Sequence, residues 1–240
     1  MPYTYGFDWT YILLVLPAVI FSLWASASVN STFKKYSQQR SLCGMTGAQA
    51  ARCVLDANGL QHIRIEHIAG ELTDHYDPSA NVIRLSDAVY DNPSTAAIGV
   101  AAHEAGHAIQ HAVGYVPIKI RTAIVPLTNI GSKLSMPLII AGLLLAAVSG
   151  LGDLGFMLAM AGVVCFSLCV VFQLVTLPTE FNASNRALAA IKDCGLLNKE
   201  ELAGSRKVLR AAAMTYVAAL ATAIMQLLRL IIIVGGRRRD

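Results

Sequence analysis

Four apolar runs constrain this 240-residue chain before anything else does: Trp9 to Val29, Leu134 to Gly150, Leu154 to Leu177 and Ala211 to Val234. About 20 apolar residues in an α-helix cross the hydrocarbon core of a bilayer. Lipid offers no hydrogen-bond partners, so a spanning backbone of this kind must be helical. The composition agrees, with 55% hydrophobic and 14% charged residues and a mean hydropathy of +0.54. Soluble chains carry about 25% charged residues.

The first run is expected to be a retained anchor and not a cleaved signal peptide. Asp8 and no Lys or Arg precede it, and its apolar stretch is long for a signal sequence. Leu151-Gly152-Asp153 joins the second and third runs into a transmembrane hairpin, and Pro178 is expected to end the third. The last run, 211–234, is expected to be transmembrane or membrane-associated and to continue a helix opened by the capping box of Asn198 and Glu201. Lys34, Lys35, Arg40, Lys119, Arg121, Lys133, Arg186, Lys192 and Lys199 flank the first three runs. The positive-inside rule puts both polar regions, 30–133 and 178–210, in the cytoplasm. Arg237, Arg238 and Arg239 disagree, since four crossings would place them outside. Arg229 within the last run is compatible with snorkelling.

The net charge of +4 sits at the flanks of apolar runs and gives no reason to expect a nucleic-acid partner. Cys43, Cys53, Cys165, Cys169 and Cys194 are irregularly spaced, so no disulfide framework is expected. A transporter would need inverted repeats and paired intramembrane charges, and neither is found.

In the first polar region, Thr46 to Asn58 reads as a helix with Thr46 as its N-cap and Gly59 beyond its end. Ile63 and Ile65 alternate with polar neighbours, and Asn81 to Ser86 is rich in branched apolar residues, so both read as short strands. The second could be an internal strand or a sheet edge on which an extended substrate docks. Thr73 to Pro78, between them, reads as a loop. Asn92-Pro93-Ser94 opens a helix that runs to about Val113, where Gly114 ends it.

That helix is apolar on nearly every side, as a buried helix is. His103, Glu104 and His107 sit in its middle, in an H-E-x-x-H motif. Residues four apart in a helix differ by about 40° around the axis, so the two imidazoles project side by side. So placed, they can bind one Zn²⁺, with Glu104 close enough to act on a water that the ion activates. A catalytic zinc needs a third protein ligand and an open position. In one zinc peptidase class the third ligand is a His six residues past the second, but that position here is Val113. His111 faces nearly the same way as His107 but rises about 6 Å beyond it.

His-Glu-Ala-Gly-His, then a hairpin of apolar runs, then Pro-Thr-Glu-Phe-Asn-Ala-Ser-Asn-Arg-Ala at 178–187, resembles the bacterial membrane-bound neutral zinc metallopeptidases of the YugP type. Leu72 to Pro78 also fits that family, and the resemblance covers nearly the whole chain. The family is similar to the HtpX-type integral-membrane gluzincins, which use two helix His and a downstream Glu. The resemblance implies Glu180 as the third ligand beside His103 and His107. The HtpX pattern has Asp four residues after that Glu, and this chain has Ser184.

It further implies a mainly α fold, with integral membrane helices and a zincin-like α+β catalytic region that contains a short sheet. The implied activity is zinc-dependent endopeptidase hydrolysis with Glu104 as general base. A donor for the developing oxyanion is needed besides zinc, and His75, Tyr76 and Arg186 are the candidates. Only Pro178 and Thr179 separate the third run from Glu180. The expected substrates are therefore membrane proteins or juxtamembrane segments. The expected location is the bacterial inner membrane, with the site on the cytoplasmic side. The lipid bilayer is an expected partner, and the exposed helix faces could also take a partner protein or a second copy. A competing reading is a non-catalytic membrane scaffold with a structural zinc site, which would not need Glu104.

Overall fold

The computed structural model describes residues 8–236. A π-helical stretch, Tyr11–Val15, leads into α1 (Leu16–Ser37). Then come α2 (Gly47–Ala57), β1 (Arg64–Ile68), β2 (His75–Asp77), β3 (Val82–Ser86) and α3 (Thr95–Ala112). Three long helices complete the chain: α4 (Val116–Leu145), α5 (Gly152–Asp193) and α6 (Lys199–Gly236). The fold is mainly α with a short sheet. Four helices, Tyr11–Ser37, α4, α5 and α6, are long and apolar enough to cross a membrane. Arg237 to Arg239, whose expected side conflicts with that of the other flanks, lie outside the described residues.

Local signals in the sequence place the helix starts. Thr46 accepts from the Gln49 N–H, and Gln49 returns a bond to the Thr46 N–H, closing a capping box. Ser94 caps α3 by accepting from Ala97 N. At α6, Asn198 Oδ1 accepts from Glu201 N at 2.9 Å and Glu201 Oε2 accepts from Asn198 N at 2.9 Å. Glu201 Oε1 also accepts from Leu42 N at 2.7 Å, so one buried carboxylate caps a helix and ties a loop. The helix opened there runs unbroken into the last apolar run, as expected.

Among the described residues the chain divides into two compact units. The first comprises residues 8–24, 120–176 and 216–236, and the second comprises 25–119 and 177–215. In the first, α4 and α5 approach backbone to backbone. A Cβ on Gly142 would sit 2.3 Å from Ala159 N, and one on Gly155 would sit 2.3 Å from Ala146 N. Such contact at small residues is how helices associate where the hydrophobic effect gives no drive. Arg229 pairs with Asp8 and lies 5.4 Å from the Tyr11 ring centre. Its charge is thus matched within the protein.

The second unit holds the main core. Val54 and Leu55 of α2, Ile83 and Leu85 of β3, Ile98, Ala101, Ala102 and Ala105 of α3, and Ala187 and Ile191 of α5 are fully buried together. The sheet order is β1-β3-β2, with β1 parallel and β2 antiparallel to β3.

Two expectations need correction, and one open alternative is decided. Pro178 does not end the third apolar helix; α5 continues through it to Asp193. Proline removes one backbone donor and crowds the preceding turn, but helices in apolar surroundings tolerate it when neighbours take up the freed groups. Thr73 to Pro78 is not all loop, because His75–Asp77 pairs with β3. Strand 82–86 is not an edge: β1 pairs along its whole length and β2 along Val82–Arg84. Beyond β2, the Asp74 carboxylate continues the ladder by accepting from Ser86 N at 2.8 Å and Ser86 Oγ at 3.0 Å. Cys43, Cys53, Cys165, Cys169 and Cys194 are free thiols.

Candidate metal centre

The site is built from α3 and the part of α5 that lies within the second unit. On α3, His103 and His107 lie one turn apart, with ring centres 4.7 Å from one another. On α5, residues 180, 183, 184 and 187 form one buried stripe at helical spacing against α3. Gly106 makes the approach feasible. A Cβ there would meet the Ala183 carbonyl oxygen at 2.6 Å.

The approach delivers Glu180 to the imidazoles. Its Oε2 lies 3.3 Å from His103 Nε2 and 3.5 Å from His107 Nε2. The ligand atoms of the three residues lie within 4.8 Å of one another. Glu180 is 3% exposed, and its Oε2 is buried without a hydrogen bond. A buried charged acceptor left unsatisfied costs more than the ~1–3 kcal/mol of a neutral one. A cation between the three would supply the missing partner. Two imidazoles and a carboxylate are also a ligand set that catalytic zinc uses. The residues fit the ion.

Glu104 is 7% exposed and adjacent in sequence to His103. His107 has a pKa above the ordinary histidine value. Burial pushes it down, but the neighbouring carboxylates of Glu180 and Glu104 outweigh that.

Each imidazole has a partner on its other nitrogen. Ser184 Oγ is 3.2 Å from His103 Nδ1. The position where the HtpX pattern has Asp therefore still reaches the first histidine. Gln110, fully buried, places Oε1 3.0 Å from His107 Nδ1. Its amide donates to the Thr179 carbonyl at 2.8 Å and to Asn182 Oδ1 at 3.0 Å. Sequence reasoning missed Gln110 and Asn182. The only signal was their spacing: Gln110 is three residues past His107, and Asn182 is two past Glu180.

The remaining candidates are placed as follows. Arg186 Nε donates to Asn182 Oδ1 at 2.8 Å, and its guanidinium lies 5.9 Å from the Tyr115 ring centre. Tyr76 packs toward α3, with its ring 5.6 Å from that of His111. His75, on the opposite face by strand alternation, bonds to the Thr73 carbonyl at 2.9 Å and lies 3.5 Å from Arg84 Nη1. Arg84 also pairs with Asp77 at 2.9 Å. Side-chain bonds from Ser79 and Arg84 hold that carboxyl below the usual range.

No solved structure matches the chain. A protein of Bacillus subtilis (strain 168) named "Putative membrane protease YugP" is 44% identical over 228 residues, covering 95% of this chain and 98% of that protein. The model of the family described as "Putative neutral zinc metallopeptidase" matches residues 11–235. Matched over almost its whole length, the chain belongs to that neutral zinc metallopeptidase family.

Proposed function

We propose that the protein is a membrane-embedded zinc-dependent endopeptidase. The observation that carries the reading is the buried, unsatisfied Oε2 of Glu180 facing the Nε2 atoms of His103 and His107. These three residues would hold the ion. When bound, zinc supplies Lewis acidity to a water and to the scissile carbonyl. Glu104 is assigned the proton work: its carboxylate takes the proton of the attacking water and delivers it to the leaving amine. Tyr76 is a candidate for an oxyanion donor on the face of β2 toward α3, and in this structure its hydroxyl donates to Asn81 Oδ1 at 3.5 Å. His75 is less well supported, since its contacts are to Thr73 and Arg84.

Substrates are assigned to membrane proteins and their juxtamembrane segments, because only Pro178 and Thr179 separate the third apolar run from Glu180. The positive flanks support an inner-membrane enzyme with its site on the cytoplasmic side.

The test is Glu104→Gln in the full chain. Cleavage of a co-expressed membrane substrate should fall by about 10²–10⁴-fold, with zinc content unchanged. Proteolysis at the parental rate with zinc still bound would overturn the peptidase assignment. Absence of proteolysis in the parent, with zinc bound and the fold dependent on it, would instead establish the structural-zinc scaffold.

A further inference from the structure

We infer that Arg186, Asn182 and Gln110 are positioning residues that fix the ring proton of His107, so that its Nε2 lone pair faces the metal centre. The inference rests on the proposed metal site and goes beyond it. It assigns these residues work on the orientation of a ligand's ring, apart from ligation and proton transfer.

The argument follows from which atoms can only donate and which can only accept. A guanidinium has N–H donors and no acceptor. Arg186 Nε lies 2.8 Å from Asn182, so Asn182 must present Oδ1 there. The same Oδ1 lies 3.0 Å from the Gln110 amide, so Gln110 must present its NH₂ group to it. The Thr179 carbonyl, which has no alternative orientation, demands the same of Gln110 at 2.8 Å. Both amide hydrogens of Gln110 are thereby used. Its remaining atom, Oε1, faces His107 Nδ1 at 3.0 Å. An amide oxygen only accepts, so Nδ1 must carry the proton. In a neutral imidazole the other nitrogen then holds the lone pair. That nitrogen is Nε2, the atom 3.5 Å from Glu180 Oε2.

Burial makes the chain of constraints binding. Gln110 is 0% exposed, so water cannot compensate a reversed amide, and each mismatched pair would carry an unsatisfied-group cost. Arg186 decides between two arrangements. Without it Asn182 can turn its amide and offer Gln110 a donor, leaving the Thr179 carbonyl alone to hold Gln110 in place. His103 is treated differently. Its Nδ1 partner is the Ser184 hydroxyl, which donates or accepts equally well, so nothing there dictates the tautomer. The protein thus fixes one metal-binding imidazole through an amide chain and leaves the other adaptable.

The experiment uses the full chain in detergent, metal-free, at an alkaline pH where the His107 ring is neutral, with ¹⁵N-labelled histidine. Ring-nitrogen shifts report which nitrogen of His107 is protonated. Zinc affinity is measured separately by competition with a chromophoric chelator. Both readouts are independent of peptide hydrolysis, so failure of the peptidase assignment would leave this result readable.

In the parent, His107 should be protonated at Nδ1. Arg186→Ala should give a mixture of tautomers and about 10-fold weaker zinc binding, the lower end of what loss of a metal ligand's hydrogen-bond partner costs. Asn182→Asp keeps an acceptor toward both Arg186 and Gln110 and should retain the parental signal and affinity. Should Arg186→Ala fail to fold, Gln110→Met carries the same readout, because it removes the Oε1 acceptor itself. An unchanged His107 signal in Arg186→Ala, or in Gln110→Met where that variant is needed, would overturn the inference. So would equal losses in Asn182→Asp and Arg186→Ala.

Discussion

Gly106 and Ala183 touch backbone to backbone: a Cβ added to Gly106 would lie 2.6 Å from the Ala183 carbonyl oxygen. This contact between α3 and α5 sets the distance at which Glu180 meets the two imidazoles. Gly106→Ala should push the helices apart. An overpacked core costs about 1–3 kcal/mol, so the melting temperature should fall. Zinc affinity should fall with it, because the ligands share the displaced helices. Thermal melts and chelator competition on the same preparation check both effects.

Metal removal should destabilise the folded protein, because an ion at the proposed site would partner the otherwise orphaned Glu180 Oε2. Ligand binding stabilises by ~2.7 kcal/mol at 100 times the dissociation constant. A chelator should therefore lower the melting temperature, and added zinc should restore it. Glu180→Ala should melt at a temperature that neither chelator nor zinc shifts. Chelator sensitivity equal to that of the parent would show that Glu180 is not a ligand.

Ser184 offers a test in the direction of gain. Its hydroxyl reaches His103 Nδ1 at 3.2 Å, where the HtpX pattern has a carboxylate. A carboxylate partner orients a ligating histidine and raises its basicity. Ser184→Asp should bind zinc more tightly, and Ser184→Ala should bind it about 10-fold more weakly. Isothermal titration with a competing chelator measures both.

Arg229 and Asp8 should be energetically coupled. They pair within the first unit although they lie far apart in the chain. Both are partly exposed, so the coupling belongs with modest ion pairs, about 0.2–1 kcal/mol. A double-mutant cycle of Asp8→Asn and Arg229→Gln, read by unfolding in detergent, should give a coupling of this size that shrinks as salt is raised.

Much of this architecture was legible in the sequence because its determinants are local. Thr46, Ser94 and Asn198 announce helix starts through side chains that reach their own first turns, and Gly114 closes α3 with a positive φ of 65°. The apolar runs announce spanning helices because lipid leaves the backbone no alternative. The pair His103 and His107 was legible because one helical turn brings them together without help from the rest of the chain. Glu180 became a candidate through a motif shared with a family.

The tertiary structure decided what local rules cannot reach. β3 is central because β1 and β2, which are not adjacent to each other in the sheet, both pair with it, and apolar content alone does not fix strand order. Three polar residues became strand β2 because β3 offered a partner, not because of their own pattern. Pro178 reads as a helix stop in isolation, yet α5 runs through it. The hydrogen-bond chain from Arg186 to His107 could not be read at all. It joins α3 to α5 across some seventy positions of sequence, and hydrogen-bond direction is set only once donors and acceptors are brought face to face. The sequence by itself determined the capped helix starts, the apolar spans and the side-by-side placement of His103 and His107. The packing of α5 on α3 at Gly106 decided the reach of Glu180 to the two imidazoles and the contact of Gln110 with His107, because both depend on distances between residues that chain connectivity does not constrain.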